Sequence, residues 1–423
     1  MDSSIDLQQP VVDGGIRSVN FFNGRMLTAQ DLTREQAANR EVDNRLGQAI
    51  GEGVSFGLEV STSPRSTAEG PVVTIEPGLA VNRQGRTLWL RDKTDVALVR
   101  KASASTTGLM FGECQPLQSG TYVAGAGVYL LTVAPAETRE GRAVTSALNT
   151  GAAPCNTDTL VSAVQFRLIQ INPPITTAEL QNENCLRNLI AYKCFGVTGI
   201  ASFVKNPFAA LTQNGLLDSL RPNRLTDCDV PLGVLYWTLS DGIKFVDMWS
   251  VRRRVFASGA DKNWSPLISA RGHSEAEAMF LQFEEQVNSL RLTRANPDQI
   301  RAVDQFRYLP PVGIIPLATN TFPQGFHGDL FFDTLTRHPE VFIEGARVEA
   351  LLCAGLNYPP VDLAPPDGPV MLWVYRVREN RQTVVAGIST PAVQPYLVFT
   401  SGHMALMGDP HFDVNRWDFS NFV

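Results

Sequence analysis

The stretch Val19–Val60, VNFFNGRMLTAQDLTREQAANREVDNRLGQAIGEGVSFGLEV, carries the strongest structural signals of the chain. Thr28 stands three residues before Asp31, so its hydroxyl can accept a hydrogen bond from a first-turn N–H, while the carboxylate suits the positive end of the helix dipole. No Pro follows before Ile50, and Gly47 is the only Gly. The sequence therefore predicts a helix of about five to six turns.

This predicted helix is unusually polar, because most of the positions outside its apolar residues are Arg, Glu, Gln or Asn. Such a helix either lies on the solvated surface or packs against a neighbouring subunit, and the sequence leaves both readings open. Its thin apolar stripe consists of Leu32, Val42, Leu46 and Ile50.

The residues on either side of the helix indicate how it joins the rest of the chain. Phe21 and Phe22 precede the cap, and we expect them to fill a core because paired aromatic rings bury large areas. After the helix, Gly51, Gly53 and Gly57 allow a sharp reversal into a strand. The stretch therefore predicts an aromatic anchor, a capped helix and an entry into β structure.

A chain of 423 residues exceeds one ordinary hydrophobic core, so two or three domains are expected. We predict a multi-domain α+β protein whose N-terminal arm and helix lead into a small antiparallel β unit, followed by a mixed β-sheet domain with inserted helices. The boundaries that we expect are a flexible arm (1–18), the helix with the small β unit (19–100), the mixed β domain with helices (101–256) and an α/β C-terminal region with an aromatic tail (257–423).

Several later segments have clear periodicity. Val230–Leu239 and Ile243–Trp249 flank Asp241-Gly242, which is a strong hairpin signal. Leu160–Ile171 predicts a strand that stops at two prolines. Ser274 is expected to cap a helix that extends to Leu292. Further helices are predicted over Thr176–Lys193 and Pro207–Leu220, and further strands over Met371–Val377, Thr383–Ile388 and Tyr396–Thr400.

Composition limits the function classes. The net charge of −6 argues against a dedicated nucleic-acid binder. The sequence has no apolar run of 18 residues, and its start, Met1-Asp2-Ser3-Ser4, is unlike a signal peptide. We therefore expect no membrane span and a cytoplasmic location at synthesis. Only six of the 36 basic residues are Lys, and the Arg bias suits fixed ion pairs at interfaces or a GC-rich genome.

The six cysteines form no Cys-x-x-Cys pair, so a zinc ribbon or a redox motif is not indicated. In a chain made in the cytoplasm, we expect them to be buried thiols. They are Cys114, Cys155, Cys185, Cys194, Cys228 and Cys353.

We find no nucleophile elbow, zincin, phosphate-binding-loop, dinucleotide-binding or EF-hand motif. The strongest metal candidate combines Asp409, His411 and Asp413 with His403, since alternate residues of a strand point the same way, although turn formation is the commoner role. A second trio, His327, Asp329 and Asp333, arises readily by chance. We therefore expect no catalytic residue, no metal and no cofactor, and we do not expect an enzyme.

Other residues are candidates for binding a partner. Arg252, Arg253 and Arg254 form a basic cluster that either pairs with carboxylates or binds phosphate. The aromatic C-terminal tail, with Trp417, Phe419 and Phe422, is expected to dock on another surface. Around the helix, Phe21, Phe22, Arg25 and Arg34 complete the candidate partner-binding residues. We expect four exposed tryptophans that could stack on sugar rings: Trp237, Trp249, Trp264 and Trp417.

Five segments together resemble a family of large proteins encoded beside the genes of extracellular contractile injection systems, which are phage-tail-like particles. The resemblance covers most of the chain, and no catalytic motif comes with it. Here the helix carries Asn39–Asn44 in place of the longer basic, His-rich run of the relatives. The segments are FFNGRMLTAQDLTREQAANRE (21–41), GLEV with VTIEPGLAVNRQGR (57–86), VPLGVLYW with FVDMWSVRRR (230–254), FRYLPPVGIIPL (306–317) and YLVFTSGHMALMGDPHFDVNRWDFSNF (396–422).

The resemblance implies a structural subunit of such a particle, at the baseplate or its periphery. Its partners would be baseplate, sheath or tube proteins, with several copies in each particle and with later release of the assembled particle. A carbohydrate- or cell-surface-binding module of the particle is the alternative, and a cell-wall hydrolase is a third possibility. The two leading hypotheses differ in whether aromatic side chains stack on sugars or pack against protein.

Overall fold

The computed structural model describes residues 12–98, 127–141, 158–173, 175–176, 179, 182–200, 215–221, 223–257, 270–333, 335–364, 371–378 and 393–402. Helices and several antiparallel or mixed sheets together make up the fold, which confirms the predicted α+β class.

Two helices of more than 20 residues dominate the helical part. The helices are α1 (Ala29–Ile50), α2 (Glu183–Phe195), α3 (Gly215–Leu220), α4 (Ala270–Thr293), α5 (Ala302–Gln305), α6 (Gly328–Phe331) and α7 (Val348–Gly355), with 3-10 turns at Pro297–Gln299 and Gly345–Arg347.

The strands are short, except for one long hairpin. They are β1 (Gly53–Gly57), β2 (Val60–Thr62), β3 (Val72–Ile75), β4 (Gly78–Val81), β5 (Thr87–Leu90), β6 (Thr94–Ala97), β7 (Gly127–Glu140), β8 (Thr159–Ile171), β9 (Val230–Thr238), β10 (Gly242–Asp247), β11 (Tyr308–Leu309), β12 (Val312–Pro316), β13 (Thr336–Arg337), β14 (Val341–Ile343), β15 (Val361–Asp362), β16 (Met371–Val377) and β17 (Tyr396–Thr400).

The N-terminal β unit consists of two three-stranded antiparallel sheets, in the orders β1-β4-β5 and β2-β3-β6. Their inward residues, among them Val54, Val73 and Leu88, form one core with a face of the next sheet. That next sheet has the order β10-β9-β7-β8, so β8 is an edge strand. The opposite face of this sheet packs on α2 and α3 through Leu130 and Ile190.

Helix α4 joins the middle sheet to the C-terminal sheet. Ala278 and Met279 of α4 pack with residues of α2, while Phe283 packs with the C-terminal sheet. That sheet has the order β12-β17-β16-β13, and β14 also pairs with β16. A set of edge-to-face phenylalanine contacts, including Phe283 with Phe399 at 5.4 Å, fills the layer. Helix α7 covers the other face of the sheet.

A buried polar network crosses the layer between the middle sheet and α4. Asp247 is almost fully buried, and its carboxylate accepts hydrogen bonds from Arg187 Nε at 2.9 Å, Gln282 Nε2 at 3.0 Å and the Ser250 N–H at 3.0 Å. The Tyr308 hydroxyl donates to Gln282 Oε1 at 3.2 Å. Three donors satisfy a charge that would be costly to bury alone, so these contacts fix α4 against the middle sheet.

The structure confirms several predicted elements and corrects others. The hairpin around Asp241-Gly242 is β9 and β10. The expected cap at Ser274 is wrong, because α4 begins one turn earlier at Ala270, and the Ser274 hydroxyl instead donates to the Arg254 carbonyl at 3.4 Å. An ion pair from Arg271 to Glu275, at i and i+4, supports the extra turn. The predicted strand 383–388 lies outside the described residues.

Candidate partner-binding surface

Helix α1 begins with the predicted cap. The Asp31 N–H donates to Thr28 Oγ1 at 3.2 Å, and Asp31 Oδ2 accepts from the Thr28 N–H at 3.1 Å, which is a complete capping box. Arg25 Nη2 also donates to Asp31 Oδ1 at 2.6 Å. The Thr28 hydroxyl, then its N–H, and Arg25 together hold the pKa of Asp31 below its usual value.

The segment that precedes α1 runs back along the helix. The Val19 N–H donates to Glu35 Oε2 at 3.0 Å, and Arg45 Nη2 donates to the Gly14 carbonyl at 2.7 Å. Arg25 Nη1 binds the Asn20 carbonyl at 2.7 Å, which ties the intervening loop to the helix start. These polar contacts cover one side of α1 and leave another side open.

Phe21 and Phe22 do not fill a core, so that prediction is wrong. Their side chains are 54% and 63% exposed, in a loop that Arg25 ties to the start of α1 by binding both the Asn20 carbonyl and Asp31. The guanidinium of Arg25 lies 6.0 Å from the centre of the Phe22 ring. Met26 and Leu27 are exposed beside them. We call these four residues, Phe21, Phe22, Met26 and Leu27, the aromatic loop.

The stripe of Leu32, Val42, Leu46 and Ile50 is exposed along the length of α1, and we call it the apolar face of α1. Leu46 and Ile50 are 60% and 63% exposed. Of the whole helix, only Ala38 and Gly47 are buried. The same surface extends through Leu32 toward the aromatic loop. Arg34 is exposed on another side of the helix.

A groove of about 530 Å³ lies between the second half of α1 and the β structure. Leu46 and Ile50 form part of its helical wall, and Val81 and Thr87 belong to strands β4 and β5. Pro135 and neighbouring residues of the β7–β8 hairpin line the other wall. The apolar face therefore has a concave side as well as a convex one, which is a shape that suits a protruding element of another chain.

A second exposed apolar row lies on the outer face of the sheet β1-β4-β5. Phe56 pairs with Leu79 in register, and Leu79 pairs with Trp89. Phe56 is 60% exposed and Trp89 is 69% exposed. This row was not among the predicted partner-binding residues. The alternation in Thr87–Leu90 nevertheless places Trp89 on the sheet face opposite to that of the buried Leu88 and Leu90.

The basic cluster after the hairpin is mostly internal. Arg252 and Arg253 are buried, and both bind backbone carbonyls: Arg252 Nη1 donates to Leu58 O at 2.8 Å, and Arg253 Nη1 donates to Trp249 O at 2.9 Å. Arg254 pairs with Glu277 at 3.1 Å. Carboxylate pairing therefore describes Arg254 and also Arg252, whose Nη2 lies 3.9 Å from Glu59 Oε1, while Arg252 and Arg253 both hold the backbone. We leave Arg252 and Arg253 out of the binding surface.

The two tryptophans considered for sugar stacking that the structure describes are not exposed. Trp237 is buried in the core, and its Nε1 donates to the Ala68 carbonyl at 3.3 Å. Trp249 is half-buried and lies under Arg252, 5.5 Å from its guanidinium. The remaining predicted residues, Trp264, Trp417, Phe419 and Phe422, lie outside the described residues.

The trio His327, Asp329 and Asp333 has structural partners. His327 Nδ1 caps α6 by accepting from the Leu330 N–H at 3.4 Å, and Asp329 pairs with Arg337 at 3.1 Å. Within the part of the chain that the structure describes, no three His, Cys, Asp or Glu side chains are grouped to hold a metal ion. The candidates His403, Asp409, His411 and Asp413 lie outside that part.

The cysteines do not all follow the prediction of buried thiols. Cys194 is a buried free thiol whose pKa burial raises to about 12, whereas Cys353 is free but exposed. Cys185 is free and half-buried. Cys228 is disulfide-bonded, which corrects the expectation of a thiol at that position. Cys114 and Cys155 lie outside the described residues.

In the described residues, no helix combines the length and the apolar character that crossing a bilayer requires. Comparison of the chain with protein-family models and with curated proteins gives no match.

Proposed function

We propose that this protein is a structural subunit of a contractile injection system or phage-tail-like particle, located at the baseplate or its periphery. The observation that carries the proposal is the exposed apolar face of α1. Its partners would be baseplate, sheath or tube proteins, with several copies of the chain in each particle. The chain would be made in the cytoplasm and released or displayed with the assembled particle.

An isolated helix gains little stability from its own propensity and is held mainly by the packing of an apolar face. On α1, Leu32, Val42, Leu46 and Ile50 all face solvent, whereas the contacts with the β unit use the glycine at position 47. Full burial of such a side chain is worth about 1.5–3 kcal/mol, so covering the face would contribute several kcal/mol to an interface. The apolar face of α1 is therefore suited to burial against the surface of another protein.

The sequence resemblance supports the same surface. The segment 21–41, which resembles proteins of contractile injection systems, contains the aromatic loop and the first half of α1. Apolar side chains that stay exposed within their own chain, as in this segment, are suited to contact with another chain. The neutral-to-acidic character of the chain, at a net charge of −6, fits a protein partner better than nucleic acid.

Co-purification tests this proposal. Particles isolated under conditions that keep the sheath and tube together are expected to retain this chain at a fixed ratio to the sheath protein through gel filtration and a density gradient. Deletion of its gene should alter or remove the baseplate in negative-stain images. Particles that lack the chain, together with unchanged baseplates in the deletion strain, would refute the assignment.

A second candidate is surface recognition by the row of Phe56, Leu79 and Trp89. Exposed aromatic rings on a sheet stack on the apolar faces of sugars as well as on proteins. A glycan array probed with the isolated chain and with Trp89→Ala tests it: binding by the wild type that the variant loses supports this candidate. The control is Trp373→Phe, a conservative change at a half-buried ring in β16 of the C-terminal sheet.

A further inference from the structure

Strand β8 is an exposed edge of the middle sheet. It pairs with β7 over its whole 13-residue length with no register shift, and in the described part of the chain no strand pairs with its other side. Of its residues, only Ile171 is buried. The strand is nevertheless apolar, and Arg167 is its single charged residue.

The hydrogen-bonding direction along β8 follows from one contact. Arg224 Nη1, which lies outside the β7–β8 ladder, donates to the Gln170 carbonyl at 3.0 Å, so this carbonyl points away from β7. In an antiparallel pair, alternate residues direct both backbone groups away from their partner. Ser162, Val164, Phe166 and Leu168 therefore present their N–H and C=O groups to the open side.

Two other edge strands of the described sheets, β12 and β10, carry devices that prevent strand pairing. On β12, the Ile314 N–H donates to Glu284 Oε1 at 2.7 Å and Pro316 has no N–H. On β10, a register shift between Ile243 and Phe245 and the charge of Lys244 disturb the edge. Pro, charge and bulges are the usual protection of edges against pairing with another chain.

Strand β8 has none of these devices. It contains no Pro, no Lys and no bulge, and its one arginine is held on a sheet face by Asp229, at 2.5 Å from Nη1 to Oδ2. The remaining edge strands are only two to five residues long, so β8 is the long edge of the described sheets that is left open.

We propose that β8 pairs with β8 of a second copy of this chain, antiparallel, about a two-fold axis at Gln165.

This register makes the two edges complementary. With Gln165 opposite its own copy, the outward-facing residues pair Val164 with Phe166 and Ser162 with Leu168, which gives about eight backbone hydrogen bonds between the copies. A β-branched residue opposite an aromatic one is a favourable cross-strand pair. The two Gln165 amides can each donate to and accept from the other.

The charges also fit a second copy. In this register Arg167 lies opposite Ala163 of the other copy, so the two arginines do not face each other, whereas a shift of the axis to position 167 would oppose them directly. Val164, Phe166 and Leu168 are half-buried against the core that the sheet shares with the β unit. Pairing would extend that core across the axis into a continuous eight-stranded sheet.

Light scattering after gel filtration, on the full chain alone, tests the pairing independently of any particle. The wild type is expected to show a concentration-dependent mass that reaches twice 46.3 kDa. Gln165→Lys places two ammonium groups opposite each other, and Gln165→Glu does the same with carboxylates, so each variant alone should weaken association at least tenfold. A mixture of the two variants should restore the dimer, which excludes misfolding as the cause.

A disulfide test fixes the register. Gln165→Cys is expected to form a dimer under mild oxidation, because residues of a non-hydrogen-bonded antiparallel pair lie close enough for a disulfide. Cys353 is exposed, so it is changed to Ser in the background, and Ser55→Cys on the exposed part of β1 is the matched control. The control should stay uncrosslinked.

The negative outcomes are equally definite. A wild type that stays monomeric at the highest accessible concentration, with no crosslink through position 165, overturns the inference. A dimer that persists unchanged in both charged variants overturns it as well, because another surface would then hold the copies together. Protection of β8 from hydrogen exchange only when particle proteins are added would assign the edge to a different chain.

Discussion

Gly47 of α1 and Gly85 of the β4–β5 turn are in backbone contact: a Cβ on Gly47 would lie 2.0 Å from the Gly85 carbonyl oxygen, and a Cβ on Gly85 would lie 1.8 Å from the Asn44 carbonyl oxygen. Gly85 also has a positive φ of 79°. The two glycines let the helix lie directly on the turn. This contact holds the second half of α1 against the β unit while its apolar face stays in solvent.

Gly47→Ala is expected to destabilise the chain despite the better helix propensity of alanine. A methyl group here meets backbone atoms that cannot rotate away, so the helix must shift, and overpacking of this kind costs about 1–3 kcal/mol. Chemical denaturation followed by circular dichroism measures the effect. Gln36→Ala, at an exposed position of the same helix, should change stability by no more than about 0.5 kcal/mol. Equal stabilities of the two variants would contradict the tight contact.

The double variant Leu46→Gln/Ile50→Gln separates binding from folding. Both side chains are exposed, so the free chain should keep its stability within about 0.5 kcal/mol for each change. Its incorporation into particles, measured by quantitative mass spectrometry against the sheath protein, should fall about tenfold or more, because buried apolar contacts would be lost.

The matched control for that experiment is Ala37→Gln. Ala37 is exposed on the opposite side of α1, so a glutamine introduced there should leave incorporation unchanged. Normal incorporation of the double variant would show that the apolar face is not what binds the particle.

Glu284 should make stability depend on pH. Desolvation raises the pKa of its carboxyl to about 7, although the hydrogen bond from the Ile314 N–H works against the rise. In the unfolded chain this carboxyl titrates near 4.5, so the folded state binds the proton more tightly. The stability that the protonated Glu284 contributes is therefore complete below pH 4.5 and is lost as pH rises through about 7.

Glu284→Gln removes that titration. Relative to wild type, the variant should gain up to about 3 kcal/mol of unfolding free energy between pH 4 and pH 8, since one pKa unit corresponds to about 1.4 kcal/mol. Denaturant unfolding at both pH values measures the gain. A difference between Glu284→Gln and wild type that stays the same at both pH values would contradict a desolvated acid at this position.

Substitution of Asp247 in the buried polar network should destabilise the fold far more than the loss of a surface ion pair. Asp247→Ala leaves the largely buried Arg187 with Glu285, at 2.8 Å, as its one charged partner among the described residues, and it removes the acceptor of one Gln282 amide hydrogen bond. Loss of one member of a buried ion pair costs about 3–5 kcal/mol.

Asp227→Ala is the comparison, because Asp227 is exposed and lies 3.4 Å from Arg221. It should cost no more than about 1 kcal/mol. Thermal or denaturant unfolding of both variants checks the contrast. Similar losses for the two aspartates would mean that the network does not stabilise the contact between α4 and the middle sheet.

Local signals in the sequence were sufficient for several elements. Thr28 and Asp31 specify the start of α1, and Asp241-Gly242 specifies the hairpin, because caps and two-residue turns depend only on neighbouring residues. The same reasoning placed the start of α4 at Ser274. It missed the extra turn because Arg271, which supports it, pairs with Asp218 of α3 at 2.8 Å, a residue far away in the sequence.

The roles that depend on tertiary contacts were not predictable from the sequence. Phe21 and Phe22 are residue types of a core, yet both are exposed in a loop that Arg25 ties to the start of α1. In the sequence, Arg252 and Arg253 indicate a charged surface patch, yet both are buried and donate hydrogen bonds to backbone carbonyls. The sequence predicted β8 as a strand, but its position at the edge of the sheet depends on long-range pairing.

Hydrogen exchange of α1 in the isolated chain and in the purified particle is the most direct test of the proposed role. If α1 binds a neighbouring subunit through its apolar face, amides of residues 32–50 should exchange much more slowly in the particle, while those of β9 in the interior of the middle sheet should be little changed. Equal exchange of α1 in both states, or absence of the chain from the particle, would contradict the proposed role.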